Sequence, residues 1–444
     1  MTTKNRPSFI FIVADDLGFA DLGCYGGRDA DFGPVSPVLD RLAAAGVKFT
    51  QGYSNSPVCS PTRFGLMTAR YQYRLRGAAE EPINSKSKGS STLGLPPEHP
   101  TLPSLLKGAG YRTALMGKWH LGYPPAFGPL KSGYEEFFGP MSGGVDYFTH
   151  CSNNGTHDLY LGDAEHQAEG YLTDLITNRS VDYIQRMADG ARGGTPFFLS
   201  VHYTAPHWPW ETRDDAALAQ EVKDNLFHLH GGNIHTYRRM IHHMDEGIGK
   251  LVDTLRAEGL LDNTLIVFTS DNGGERFSDN WPLVGGKMDL TEGGIRVPWI
   301  AHWPARIAPS GVTTQACMTM DWSATLLDAA GVAAHPDYPL DGVSLLPVLR
   351  DPTARFERPL FWRMNHRGQR AHRDGDWKYL RVDGHDYLFN IPQDERERAN
   401  LAAREPERLA ALRDAWEQWN ATMPAIPADA TVSLGYGAKD MPQR

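Results

Sequence analysis

Two pairs of oxygen-bearing side chains, Asp15-Asp16 and Asp271-Asn272, each follow directly on a run of apolar residues, SFIFIVA and LIVFTS. Three carboxylates and an amide suit calcium or magnesium far better than zinc, which prefers nitrogen and sulfur ligands. A single Asp after a strand usually caps a helix or forms a turn. Two such pairs at separate strand ends exceed what capping needs. Cys59 opens CSPTRFGLMTAR, where Pro61 and the apolar spacing beyond it predict a helix beginning at the cysteine. The free N–H groups of a helix N-terminus favour an anion, and Arg63 one turn on has the same preference. From residue type alone, Cys59 reads equally well as an activated thiolate or as a small buried residue. Gly117-Lys118-Trp119-His120 and the stretch from His202 to His207 also follow apolar runs, and they add cations and imidazoles.

Such residues can act together only if the chain brings the strand ends to one place. Ser8 to Ala14 reads as a strand buried on both faces, and PFFLSVHY from Pro196 and Leu265 to Ser270 read the same way. Between them, Val38 to Ala45, Thr101 to Lys107 and a long stretch with Ile241, Met244, Ile248, Leu251 and Leu255 on one stripe read as helices. Tyr111 to Met116 supplies a further strand, KFTQGY another candidate, and VPWIAHW with the helix after Asp321 continues the alternation. This β-α-β rhythm predicts an α/β fold, a large mostly parallel sheet flanked by helices on both faces. In such sheets ligands bind beyond the carboxyl ends of the strands, where the four polar segments fall.

After Pro347 the texture changes. Strand candidates near Leu360, at Trp377 to Val382 and at Tyr387 to Ile391, with a closing helix near Leu409 to Trp419, predict a small C-terminal α+β subdomain with an antiparallel sheet. The expected division is 1–355 and 356–444. Residues 84–94 and the tail after Pro424 read as mobile surface segments.

The 444 residues are 41% apolar and 22% charged, which excludes a disordered or fibrous chain. A net charge of -9 disfavours nucleic acid and anionic membrane as partners, so an anionic substrate would need a locally positive pocket. No run approaches the roughly 18 apolar residues of a spanning helix. The apolar run near the start is too short for an export signal, so the expected location is cytoplasmic, or periplasmic or secreted if a signal was trimmed. Cys24, Cys59, Cys151 and Cys317 are too sparse for a disulfide framework. All but Cys59 are expected to be small buried residues.

Cys59-Ser60-Pro61-Thr62-Arg63 resembles the C-x-P-x-R signature of type I sulfatases, in which a dedicated formylglycine-generating enzyme oxidises the cysteine to formylglycine. The resemblance continues through FIFIVADDLGF, GYRTALMGKWHLG from Gly110, HWP at His207, TSDNGG from Thr269 and GGKMDLTEGGIRVP from Gly285, in the family's order over about residues 8 to 300. DGDWKYLR and DYLFNI are similar to its C-terminal subdomain. The resemblance implies the alkaline-phosphatase-like superfamily and one divalent metal, calcium or alternatively magnesium, on Asp15, Asp16, Asp271, Asn272 and residue 59. It further implies that Arg63, Lys118, His120, His207 and Lys287 line the sulfate pocket. Ser142, Asp146 and His150 are nominated for a further family loop without a firm motif match.

The implied reaction is hydrolysis of an aryl or carbohydrate sulfate monoester. The hydrated aldehyde presents a geminal diol, one oxygen of which attacks sulfur. Arg63, Lys118, Lys287 and the metal neutralise charge, and His207 or Lys287 protonates the leaving oxygen. The sulfated residue then collapses as its second hydroxyl loses a proton to His120. A phosphonate monoester or phosphodiester hydrolase with the same nucleophile is the enzymatic alternative; a catalytically silent protein holding a sulfated glycan is the non-enzymatic one. Trp119, Trp208, Trp210 and Trp281 could stack on a leaving group or serve only in packing. His228, His230, His235, His242 and His243 read as a solvated loop and helix face.

Overall fold

The computed structural model describes residues 6–27, 33–153, 155–223, 225–226, 231–307 and 309–433. Its strands are β1 (Ser8–Ala14), β2 (Val47–Phe49), β3 (Gly52–Tyr53), β4 (Arg112–Gly117), β5 (Glu136–Gly139), β6 (Tyr160–Leu161), β7 (Ala164–Glu165) and β8 (Phe197–His202). There follow β9 (Thr264–Ser270), β10 (Trp299–His302), β11 (Gly311–Thr313), β12 (Cys317–Met318), β13 (Leu360–Arg363), β14 (Arg370–Asp374), β15 (Trp377–Val382) and β16 (His385–Asn390). Ten of them form one sheet in the order β11-β2-β10-β9-β1-β8-β4-β5-β6-β7. Its centre, β9-β1-β8-β4-β5, is entirely parallel.

The unbroken apolar run of β1 follows from its place in the middle. Alternate side chains leave a strand on opposite faces, so Phe9, Phe11 and Val13 enter one core and Ile10, Ile12 and Ala14 enter the other. The first core is closed by the helices Cys59–Thr68, Leu102–Gly108 and Thr319–Ala330, and the second by Leu172–Arg192 and Ile234–Ala257. Each of the Phe, Ile and Val side chains contributes about 1.5–3 kcal/mol by leaving water, so these strands are firm mounts for whatever follows them.

The C-terminal strands form a four-stranded antiparallel sheet in sequence order. Leu412 and Trp416 of the helix Pro406–Asn420 cover one face against Tyr379 and Leu388. The other face packs Leu360, Trp362, Leu380 and Phe389 on Tyr53 and Val58 of the large unit. Among the described residues no helix is long and apolar enough to cross a membrane.

Several details differ from the sequence reading. VPWIAHW does not extend the parallel pattern: β10 runs antiparallel to both β9 and β2, because it returns from the site instead of crossing over a helix. KFTQGY splits into β2 and β3, which join different sheets. The strand β14, RAHRD, escaped detection because only its three central residues are buried. The tail after Pro424 is not loose up to residue 433: Glu81 N donates to Thr431 O at 2.9 Å and Ser433 N to Glu81 O at 2.9 Å. Residues 434–444 lie outside the described residues. Cys317 is buried, but Cys24 and Cys151 are only partly so.

Candidate active site

The ends of β1 and β9 are adjacent, and so are the residues that leave them. Asp271 N donates to Ala14 O at 3.2 Å, and Asp16 N to Asp271 Oδ1 at 3.3 Å. Asp16 has φ +63, a left-handed conformation that a side chain rarely takes. The turn directs both carboxylates of the pair inward, where they are at most 2% exposed. At the end of β4, Gly117 has φ +116 and lies so close to the neighbouring strand that a Cβ would sit 1.8 Å from His202 O. Only glycine fits, and the turn delivers Lys118 to the same interior.

Cys59 is the first residue of its helix, as the position of Pro61 predicted, and Val58 before it offers no side-chain cap. The thiol therefore sits at an uncapped helix N-terminus. Its Sγ lies 3.5 Å from Asp15 Oδ1 and 3.8 Å from Asp16 Oδ1. Donor atoms of Asp15, Asp16, Cys59 and Asp271 all fall within 4.8 Å of one another, and all four residues are buried. Asn272 Nδ2 donates to Asp16 Oδ1 at 2.7 Å and to Gly273 O at 2.9 Å, which fixes the amide's orientation. Its Oδ1 is left buried without a hydrogen-bond partner. Such an acceptor costs about 1–3 kcal/mol unless something supplies positive charge to it. The oxygen-rich donor set and this orphaned oxygen fit a hard divalent cation.

Three cations ring the carboxylates. Lys118 Nζ donates to Asp15 Oδ2 at 2.5 Å and Lys287 Nζ to Asp16 Oδ2 at 2.6 Å. Arg63 donates to Asp271 Oδ2 from Nη2 at 2.8 Å and from Nε at 3.1 Å. Burial pushes the Asp15 carboxyl up to about 8, against the pull of Lys118. Burial also acts on Asp16, but the nearby cations, Lys287 foremost, override it and hold that carboxyl well below its usual range. The Cys59 thiol is driven well above its ordinary value by burial and by Asp271. Of the two readings of Cys59 left open by residue type, the unmodified side chain is thus a buried neutral thiol.

The imidazoles are neutral as well. Burial, with Lys118 for His120 and Lys287 for His207, holds both well below the ordinary histidine value. His120 Nε2 lies 2.7 Å from Ile83 O, so it carries the proton, and Nδ1 is left bare. His207 Nδ1 likewise faces Trp208 O at 2.7 Å, leaving Nε2 toward Asp16 Oδ2 at 3.5 Å. Ile83 also ties the wall to the nucleophile's neighbour, because its N donates to Ser60 Oγ at 2.9 Å.

The site thus gathers Asp15, Asp16, Cys59, Arg63, Lys118, His120, His207, Asp271, Asn272 and Lys287. Ser142, Asp146 and His150 instead serve their own loop. Ser142 Oγ donates to Gly144 O, Asp146 Oδ1 accepts from Phe148 N and Thr149 N, and His150 Nε2 faces Gly170 O. The loop residues that reach the site are Gly143 and Gly144, whose Cβ atoms would stand 2.3 Å from His120 and 3.1 Å from His207. Trp119 and Trp210 are buried in the two cores. Trp208 lies against His207 with ring centres 4.3 Å apart, and Trp281 is exposed. His228 and His230 lie outside the described residues. The described histidines His235, His242 and His243 belong to the helix Ile234–Ala257 and to no metal-like group among the described residues.

Two neighbours were not assigned to the site, one of them at the start of the segment from His202 to His207. His202 Nδ1 sits 3.3 Å from Arg63 Nη1 and 3.2 Å from Lys118 O, the carbonyl to which Arg63 Nη1 itself donates at 3.2 Å. Its position as the last residue of a buried strand was the available signal. Glu275 Oε1 lies 3.5 Å from Lys287 Nζ, and burial raises its carboxyl to about 7. Nothing in its sequence position distinguishes it from a surface glutamate.

Comparison with known proteins follows the same lines. Residues 7–332 match the family described as Sulfatase, and residues 286–401 match the family described as N-sulphoglucosamine sulphohydrolase, C-terminal. N-acetylgalactosamine-6-sulfatase of Canis lupus familiaris is 32% identical over 392 residues, covering 80% of this chain and 68% of its own. Steryl-sulfatase of Mus musculus is 31% identical over 421 residues, covering 79% of this chain and 66% of its own. A crystal structure of Ps i-CgsB in complex with k-i-k-neocarrahexaose superposes with a TM-score of 0.81 at 30% identity, covering 93% of this chain and 92% of that one.

Proposed function

This chain belongs to the sulfatase family, and on that premise we propose that it hydrolyses sulfate monoesters of saccharides with a formylglycine made from Cys59. It is a sulfuric ester hydrolase of the alkaline-phosphatase-like superfamily, a family that uses a divalent metal and formylglycine. The donor set Asp15, Asp16, Asp271, Asn272 and the modified residue is all oxygen once Cys59 is converted, which favours calcium. A steryl-sulfatase is also similar, but saccharide is favoured because the N-acetylgalactosamine-6-sulfatase and Ps i-CgsB, crystallised with k-i-k-neocarrahexaose, cover 80% and 93% of this chain.

The observation that carries the reading is the placement of Cys59: an uncapped helix start, two carboxylates within 3.8 Å, and three cations beyond them. When present, the metal supplies Lewis-acid charge and the formylglycine supplies the nucleophilic oxygen. The chain's own residues do the rest. Arg63, fixed by Asp271 and steadied by His202, and Lys118, fixed by Asp15, present cations that bind and orient the sulfate oxygens. Lys287, held between Asp16 and Glu275, carries protons toward the leaving oxygen, and His207 can do so once Nε2 is charged. His120, its Nε2 committed to Ile83 O, offers bare Nδ1 as the acceptor for a proton released at residue 59. Gly143 and Gly144 close over both imidazoles and keep bulk water off them.

The test is to produce the protein with the modifying activity, verify formylglycine at residue 59 by mass, and measure release of sulfate from N-acetylgalactosamine 6-sulfate. Turnover that follows the formylglycine fraction supports the proposal. Turnover independent of that fraction contradicts it.

A further inference from the structure

Among the described residues five large apolar side chains are exposed, and two of them, Trp281 at 59% and Val284 at 36%, stand on the loop that leads into Lys287. A solitary exposed aromatic is ordinary on a protein surface. The surroundings of this one are not.

The loop is closed at its neck. Asn280 Nδ2 donates to Gly274 O at 3.0 Å and to Gly285 O at 3.2 Å, Gly274 N donates to Asn280 Oδ1 at 3.1 Å, and Lys287 N donates to the same Gly274 O at 3.2 Å. Asn280 and Lys287 therefore meet on one carbonyl. Trp281 begins a single Cα step, about 3.8 Å, beyond that junction. Its backbone N donates to Asp279 Oδ1 at 2.9 Å, so the exposed ring rises from a braced turn at the rim of the site.

Arg396 of the C-terminal subdomain stacks on this ring, its guanidinium carbon 4.0 Å from the ring centre. Its chain neighbours are tied down: Glu397 pairs with the buried Lys378 at 2.8 Å, and Glu395 lies 3.7 Å from Arg296. Arg396 itself has no carboxylate partner among the described residues. An exposed aromatic with a stacked, unpaired cation joins an apolar surface for the C–H face of a sugar to a positive charge for an anionic substituent. Position at the site's rim, charge and apolar face all match one occupant.

Resting on the sulfatase reading of the site, we propose that Trp281 and Arg396 form a second saccharide subsite. It takes the sugar next to the one whose sulfate is cleaved and favours a neighbour bearing sulfate or carboxylate. The enzyme therefore prefers anionic oligosaccharides to sulfated monosaccharides. Preorganisation of the ring by the closed loop lowers the ordering cost of binding.

The test is calorimetric binding to Cys59→Ala protein, which binds without turnover, using chondroitin 6-sulfate and carrageenan oligosaccharides of two to six sugars beside N-acetylgalactosamine 6-sulfate. In the parent protein the better series should gain at least tenfold in affinity from one sugar to four. Trp281→Ala should bring that ratio near one. Arg396→Gln should abolish the preference for a sulfated over a desulfated neighbouring sugar and flatten the salt dependence of binding. A length ratio that survives Trp281→Ala, or no gain with length in either series, overturns the subsite. Hydrolysis of p-nitrophenyl sulfate by the formylglycine enzyme separates the two ideas. Turnover without a length effect removes the subsite alone, whereas a length effect without turnover of any sulfate ester removes the reading on which it rests.

Discussion

Among the described residues, two of the buried charge clusters are built differently. Around Cys59, Asp15, Asp16 and Asp271 face Arg63, Lys118 and Lys287. At the seam with the C-terminal sheet, Lys378 Nζ lies 2.9 Å from Glu292 Oε1 and 2.8 Å from Glu397 Oε1, all three side chains at most 1% exposed. In the seam cluster the groups close on one another, with Glu397 Oε1 held by the Lys378 charge alone and not by a hydrogen bond. Tyr53 OH donates to Glu292 Oε2 at 2.6 Å, and Glu292 N donates to Glu397 Oε2 at 2.6 Å. Around Cys59, by contrast, Asn272 Oδ1, Glu275 Oε1 and His120 Nδ1 are buried without hydrogen-bond partners, and the carboxylates direct oxygens at a thiol that gives them little. A cluster whose charges pair with one another joins elements, whereas one with several open acceptors converging on a point awaits a ligand.

The same substitution in each cluster should separate these roles. Lys378→Met removes the cation between two buried carboxylates, leaving Glu292 with Arg296 at 3.7 Å as its remaining cation, and should cost roughly 3–5 kcal/mol of stability in a urea titration; turnover per folded molecule should change little. Lys118→Met should lower kcat/KM by about 10²–10³, the usual loss for one preorganised charge at a reacting group, with a smaller change in the urea midpoint. If the two variants exchange phenotypes, the contrast between the clusters fails.

Calcium sharpens the comparison further. At about 100 times its dissociation constant it should stabilise the native state by about 2.7 kcal/mol, seen as a higher Tm that chelation reverses. Asn272→Ala should reduce that gain, and Glu292→Gln should leave it in place. Equal loss in both variants would mean that Asn272 is not a ligand.

The smallest expected effect is on pH. Burial raises the Glu397 carboxyl to about 7, against Lys378. The folded state then holds a proton that the unfolded chain releases near its ordinary value of 4.5, so this contribution is full below that value and is lost as pH rises through about 7. The fall of Tm between pH 5 and 8 should be shallower in Glu397→Gln. An unchanged slope would assign the titration elsewhere.

The sequence revealed the site better than the seam, for a physical reason. Residues that follow buried strands are marked by the strands themselves, and so Asp15, Asp16, Lys118, Asp271 and Asn272 were legible as a group. Cys59 was legible through its helix start and its family motif. Glu292, Glu397 and Lys378 carry no such mark. Their burial depends on packing of Glu292 against Lys378 and Glu397, 86 and 105 residues away, and their residue types are those of an ordinary surface. The direction of β10 was hidden likewise, since an apolar run shows burial but not orientation. Gly143 and Gly144 went unseen because glycine shows nothing of what approaches it.

The central claim is that the open cluster around residue 59 cleaves sulfate esters, and kcat/KM of the metal-replete, mass-verified formylglycine protein tests it most directly. Aryl sulfates, sulfated saccharides and matched aryl phosphonates and phosphodiesters form the panel, with Cys59→Ala as the control. Sulfate esters should be the best substrates, and Cys59→Ala should lose their turnover. Preference for phosphonates or phosphodiesters, or full sulfate-ester turnover by Cys59→Ala, would contradict the account.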